Sequence, residues 1–312
     1  LKGRRERPST RDLRYEEHHV QHMRIAALGE RRAPAGPLGG RRARRSAQPH
    51  ARVRRMSSLP LAFAGLAVLA GAALLTWIVS LALRTVSIVD SLWPMLFLLL
   101  ALTYAGGAHW ASPRTALVLV LVAIWSLRLA IHITWRNWGE GEDRRYQAIR
   151  ARNEPGFAWK SLYLVFLLQA VLAWIVGLPL LGALTSSAPL NGLDAFGAML
   201  WLVGVAFEAG GDWQLARFRA DPANRGRVMD RGLWRYTRHP NYFGEFALWW
   251  GFYVIALGAH AGSSIVGPLL MTVLLLKVSG VTLLEKDIGE RRPGYAEYAR
   301  RTNAFFPGLP RP

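Results

Sequence analysis

The chain has no cysteine among its 312 residues. That excludes disulfides, thiol catalysis and Cys-ligated metals. Several other chemistries lack their signatures. There is no G-x-G-x-x-G and no Walker A sequence, so any nucleotide must be bound without a Rossmann or P-loop fold. G-x-S-x-G and H-E-x-x-H are absent as well. The eight histidines do not pair at metal spacing: His18, His19 and His22 lie in the Arg-rich beginning and the others are single. No metal site is expected.

Acidic residues are also scarce, with 20 Asp+Glu against 39 Lys+Arg and a formal net charge of +19. Such a balance invites a nucleic-acid reading, but its distribution argues against one. Residues 1–55 hold 16 of the Lys+Arg and 5 of the Asp+Glu. The aromatic residues concentrate in the apolar segments instead of interleaving with the basic tail, and no nucleic-acid fold motif is present.

What the chain has in quantity is apolar sequence, 52% of its residues. These residues form seven runs of about the length that crosses a bilayer as helix: about 60–83, 91–108, 115–135, 159–183, 194–215, 242–258 and 264–284. The expected fold class is all-α, a polytopic membrane bundle of about seven transmembrane helices. The basic loops are 136–158, 216–240 and the tail after Lys286, whereas 184–193 and 259–263 carry almost no charge. Positive loops face the cytoplasm, so seven spans put the N-terminus outside and the C-terminus inside. An Arg-rich tail of 55 residues outside would break the same rule. Residues 1–55 have a disordered composition, and Met56 directly precedes the first span. The expectation is therefore a start-site artefact over 1–55, with a real tail and an eighth, half-spanning element as the alternative, and a single integral-membrane domain over 56–312.

Polar residues gather at the ends of spans on the proposed cytoplasmic side. Arg128 and His132 lie in the third span, followed by Arg136 and the run Gly139–Tyr146. Glu208, Asp212, Gln214, Arg217 and Arg219 close the fifth; Glu208, Asp212 and Arg219 share one helical face. Glu285, Lys286 and Asp287 follow the seventh, with Tyr295 and Tyr298 at helical spacing. The densest stretch is Arg231–Glu245, which contains Tyr236, Arg238, His239, Asn241 and Tyr242 at the mouth of an apolar helix. Interfacial anchoring accounts for Arg231, Trp234 and Arg235. It does not account for Glu245, one turn into the apolar run and on the same face as Asn241. If these clusters line one pocket, guanidinium groups would suit phosphates, and Asn and Glu would suit an amide or ribose hydroxyl.

The stretch Gly232–Glu245 resembles the C-terminal domain of the steroid 5-alpha reductase and sterol reductase superfamily, in its bacterial branch. Asp212–Arg219, Leu284–Asp287, Tyr295–Tyr298 and Phe306–Pro307 match as well. The resemblance covers about 85–310. It implies a membrane enzyme, in a bacterial inner membrane, that uses NADPH to reduce the conjugated C=C bond of an apolar enone drawn from the bilayer lipid phase. By similarity, Asp212 and Arg219 would meet the adenosine-phosphate end. Asn241 and Glu245 would meet the nicotinamide carboxamide or its ribose, and Tyr298, Tyr236 and Tyr242 would line the cofactor. Arg238, His239, Glu285 and Tyr295 complete the expected binding set. The superfamily's carbonyl-polarising acid pair has no matching motif here; Asp90 and Tyr104 are the available groups. The stretch Arg238–Tyr242 also resembles isoprenylcysteine carboxyl methyltransferases, which use S-adenosylmethionine, and that alternative stays open beside a non-enzymatic lipid-binding module.

Overall fold

Backbone polar groups in an apolar medium must be satisfied within their own segment, which a helix achieves alone. The long apolar runs accordingly become helices. The computed structural model describes residues 58–108, 112–278, 281, 285 and 292–312. The tail 1–55, Met56, and Leu284, Lys286 and Asp287 lie outside the described residues. No strand occurs among the described residues.

Five helices are long and apolar enough to cross a membrane. They are α1 (Ser58–Leu83), α2 (Ile88–Gly107), α3 (Pro113–Asn137), α5 (Phe157–Val176) and α7 (Gly192–Ala220). Between them, α4 (Arg144–Asn153) is a short polar helix inside the basic loop, and α6 (Leu178–Thr185) follows α5. Gly177 and Pro179 separate those two, splitting the expected run 159–183. Two short 3-10 turns, Pro222–Asn224 and Gly232–Arg235, lead into α8 (Pro240–Gly258), which is followed by α9 (Gly262–Val278, apolar but shorter) and α10 (Tyr295–Arg301).

Local signals set the helix starts. Ser112 accepts from the Thr115 N–H at 3.0 Å, with Pro113 at the first helical position of α3, where its missing N–H costs nothing. Asn191 and Asp194 form a reciprocal capping box at the start of α7.

The contact that positions the polar residues is the antiparallel pairing of α7 with α8. Gly197, Gly204 and Gly211 recur every seven residues on α7, and Gly244, Gly251 and Gly258 do so on α8. A Cβ on Gly204 would lie 2.6 Å from the Gly244 carbonyl oxygen, and one on Gly197 would lie 2.6 Å from that of Gly251. Any side chain there would force the backbones apart. Small residues of this kind are how helices approach closely where no hydrophobic effect drives them together. The seam brings Glu208 and Asp212 on α7 beside Asn241 and Glu245 on α8. Below it, Phe97, Trp125 and Trp249 from three helices form a buried aromatic core, with Phe97 and Trp249 centroids 4.5 Å apart.

Candidate functional site

Three carboxylates and one guanidinium meet between α3, α7 and α8. Arg128 pairs with Asp212 at 2.8 Å and also with Glu208. Trp125, one turn before Arg128 on α3, donates its indole N–H to Glu208 at 3.0 Å. Asn241 Nδ2 donates to Asp212 Oδ1 at 3.3 Å, and His132 Nε2 lies 3.8 Å from Asp212 Oδ2. Glu245 is close enough to Glu208, Asp212 and Arg128 to feel their charges, and the Trp93 indole of α2 lies within its polar reach. Glu208 is 2% exposed and Asp212 9%, so these charges are out of water. Arg128 retains a buried Nε without a hydrogen-bond partner among the described residues.

The expected residues thus divide into three groups. Asp212, Asn241 and Glu245 enter this cluster together. Arg128 and Glu208, members of polar clusters in the sequence but absent from the expected binding set, sit at its centre. Their signal was legible as charges inside apolar runs; what was not legible is that α3 and α7 face one another. Tyr242 borders the cluster, with Arg145, Glu245, Arg136 and Asp212 around its phenol.

Arg219 lies at the mouth instead of in the cluster. It is exposed and faces two further guanidinium groups, Arg136 and Arg292. No carboxylate among the described residues pairs with Arg219 or Arg136. Arg136 in turn lies near His132 and so joins this basic mouth to the acidic interior.

Arg238, His239, Glu285 and Tyr298 form a clamp that holds the C-terminal segment. Arg238 Nε and Nη2 both reach Glu285 at 2.8 Å, and its Nη1 donates to the carbonyls of Ala299 and Thr302. His239 Nε2 lies 2.9 Å from Glu285 Oε1. Burial works to raise the Glu285 carboxyl, but the hydrogen bonds from His239 and Arg238, with their charges, prevail and lower it to about 2. Tyr298 donates its hydroxyl to the Trp234 carbonyl at 2.6 Å, and burial first, then the neighbouring Tyr295, pushes its phenol up. Burial, followed by the Glu285 charge, does the same at Tyr295. Tyr236 is exposed, and its carbonyl accepts from the Gly308 N–H. His239 stacks on Tyr242 at 5.5 Å, which couples the clamp to the cluster.

Asp90 and Tyr104 do not act together. They lie fourteen residues apart on α2, about 21 Å along the axis. Tyr104 is fully buried against Gly65. Asp90 accepts from the Tyr146 hydroxyl at 2.6 Å and pairs with Arg145 at 2.7 Å.

On the outer side of α2 and α3 an open groove of about 490 Å³ is lined by Met95, Leu127, Ile131, Thr134 and the exposed Trp135 and Trp138. It offers an apolar surface whose Trp135 ring lies 6.2 Å from the ring of His132.

An all-helical membrane protein with a buried ionic cluster at the end of its bundle is the class these features define. The chain belongs to the family described as "Protein of unknown function (DUF1295)", which it matches over residues 76–302. It is 30% identical over 264 residues to the uncharacterized protein C594.04c of Schizosaccharomyces pombe, covering 75% of this chain and 76% of that protein. No solved structure matches it.

Proposed function

We propose that the protein is a membrane-embedded, NADPH-dependent reductase of the conjugated C=C bond of an apolar enone. The observation that carries this reading is the convergence of Asp212, Asn241 and Glu245 on Arg128, buried in an apolar bundle. Charges cost too much there to persist without use. The relation of the family to steroid 5-alpha reductase-like proteins supports it further.

The residues present suit the cofactor. Arg136 and Arg219, without carboxylate partners among the described residues, offer forked donors for phosphates. Asn241 and Glu245 offer a donor and an acceptor for a carboxamide or ribose. When bound, NADPH supplies the hydride that adds to the β-carbon of the enone. The chain's part is to hold and orient it, with Arg128 fixing Asp212 and Glu208, and Asn241 fixed in turn against Asp212. The groove lined by Met95 and Ile131 suits an apolar substrate arriving from the bilayer. In this reading α8 and α9 complete seven crossings, with the basic loops and the cluster on the cytoplasmic side.

The second reading, an S-adenosylmethionine-dependent methyltransferase, takes its support from the acidic excess of the cluster, which would also suit a sulfonium. Thermal stability of the purified chain with each ligand separates the two. Stabilisation by NADPH and not by S-adenosylmethionine is expected; the reverse result would replace the reductase with the methyltransferase.

A further inference from the structure

The charges in the cluster do not balance. Among the described residues, Glu208, Asp212 and Glu245 bring three carboxylates, and Arg128 is the one guanidinium within the group. His132 is its other titratable neighbour on α3, and Tyr242 borders it from α8. Trp125, Asn241 and Trp93 supply neutral N–H groups, which soften the carboxylates without cancelling them. Arg145 is committed to Asp90 and Asp143, and Arg136 and Arg219 stand at the mouth. Carboxylates this close, out of water, require a proton or a cation among them.

A second feature marks the same wall as open to a ligand. Trp249 follows Glu245 by one helical turn on the same face of α8. Its ring meets Trp125 edge-on at 5.5 Å, and its buried indole N–H has no hydrogen-bond partner among the described residues. A buried donor left unmatched there is open to an acceptor on a bound ligand, such as the carboxamide oxygen that oxidised and dihydro nicotinamide share.

We propose that the cluster of Arg128, Glu208, Asp212 and Glu245 selects its ligand by charge, holding a cationic ring more tightly than the neutral ring of the same shape. Resting on the reductase reading, that ligand is the oxidised, positively charged nicotinamide, preferred over the dihydro form. Glu245 carries the selectivity, because Glu208 and Asp212 already share Arg128 and it does not hydrogen-bond to that guanidinium.

Calorimetric titration of the full chain in detergent with NADP+ and with NADPH, at one pH and salt concentration, tests this. The wild type is expected to bind NADP+ at least tenfold more tightly, about 1.4 kcal/mol. Glu245→Gln should bring the ratio close to one by weakening NADP+, Glu245→Asp should keep its direction, and Arg235→Gln, at an exposed position, should leave it unchanged. A wild-type ratio at or below one overturns the proposal, as does a ratio that Glu245→Gln does not move. Should Glu245→Gln fail to fold, the wild-type ratio and Glu245→Asp decide. If neither nucleotide binds, the reductase reading falls by itself. S-adenosylmethionine against S-adenosylhomocysteine, which differ by the sulfonium charge, then tests the selectivity: preference for the cation, lost in the Glu245 variant, sustains it, and no preference overturns it.

Discussion

Two arginines on α3, fourteen residues apart, one buried and one half-buried, show opposite uses of the same side chain. Arg114, at one end, is 1% exposed and every nitrogen of its guanidinium has an acceptor. Asp194 takes Nε and Nη2 at 2.7 Å each, Nη1 donates to the Ala188 carbonyl, and Nη2 also reaches the carbonyls of Pro189 and Gly258. One cation meets one anion, and no charge is left over. Arg128, roughly 21 Å further along the helix, meets two carboxylates with a third beside them, and keeps an unmatched Nε. Its side chain is 23% exposed. The first arrangement is closed and serves to lock α3, α7 and α8 together. The second is open in both charge and hydrogen bonding, which is the condition for receiving a ligand.

The comparison breaks if both arginines matter equally to stability. Arg114→Met should produce the largest loss, about 3–5 kcal/mol, because it strands a buried carboxylate and the carbonyls of Ala188 and Pro189. SDS-titration unfolding of the detergent-extracted protein measures it, and added nucleotide should not restore it fully. A loss under about 1 kcal/mol would mean that water reaches Asp194.

Arg128→Met should cost less, about 2 kcal/mol, since the carboxylates it leaves can take up protons from the open side. Its main effect should fall on nucleotide affinity, which the same titrations read as a loss of tenfold or more, about 1.4 kcal/mol. A stability loss matching that of Arg114→Met with affinity intact would make Arg128 a second structural pin.

The helices were largely legible in advance because long apolar runs leave the backbone one solution. The expected run 242–258 is α8 at 240–258, and 194–215 is α7 at 192–220. The convergence of Asn241, Glu245 and Asp212 was legible too, since charge inside an apolar run is costly enough to stand out. Three things were not. The heptad of glycines has no meaning until both helices are read together, because its register lies in the pairing. Arg114 sits at the edge of its run beside Pro113, where an arginine reads as an interfacial anchor, and its partner Asp194 is 80 residues away. Arg238, His239 and Glu285 carry the residue types of a binding site; only their geometry shows them bonded to one another and to the C-terminal carbonyls.

That clamp supplies the third and smallest effect, and it sharpens the comparison because it lies between the two extremes. Arg238 and Glu285 are charge-balanced like Arg114 and Asp194, yet their side chains are 12% and 23% exposed. Glu285→Gln keeps the shape and some hydrogen bonds but removes the charge, so about 1 kcal/mol is expected. The pH dependence follows from the lowered carboxyl. A group depressed from 4.5 to about 2 by folding contributes stability that is fully present above its ordinary value and is lost as pH falls through its folded value. Hydrogen exchange at the Arg238 and Gly308 amides, which bond to the Asn303 and Tyr236 carbonyls, reports the clamp directly. The excess protection of wild type over Glu285→Gln should be constant above about pH 4.5 and shrink toward nothing near pH 2. An excess that persists unchanged at pH 2 would show that the clamp is held by the backbone and by Tyr298, with the ion pair contributing little.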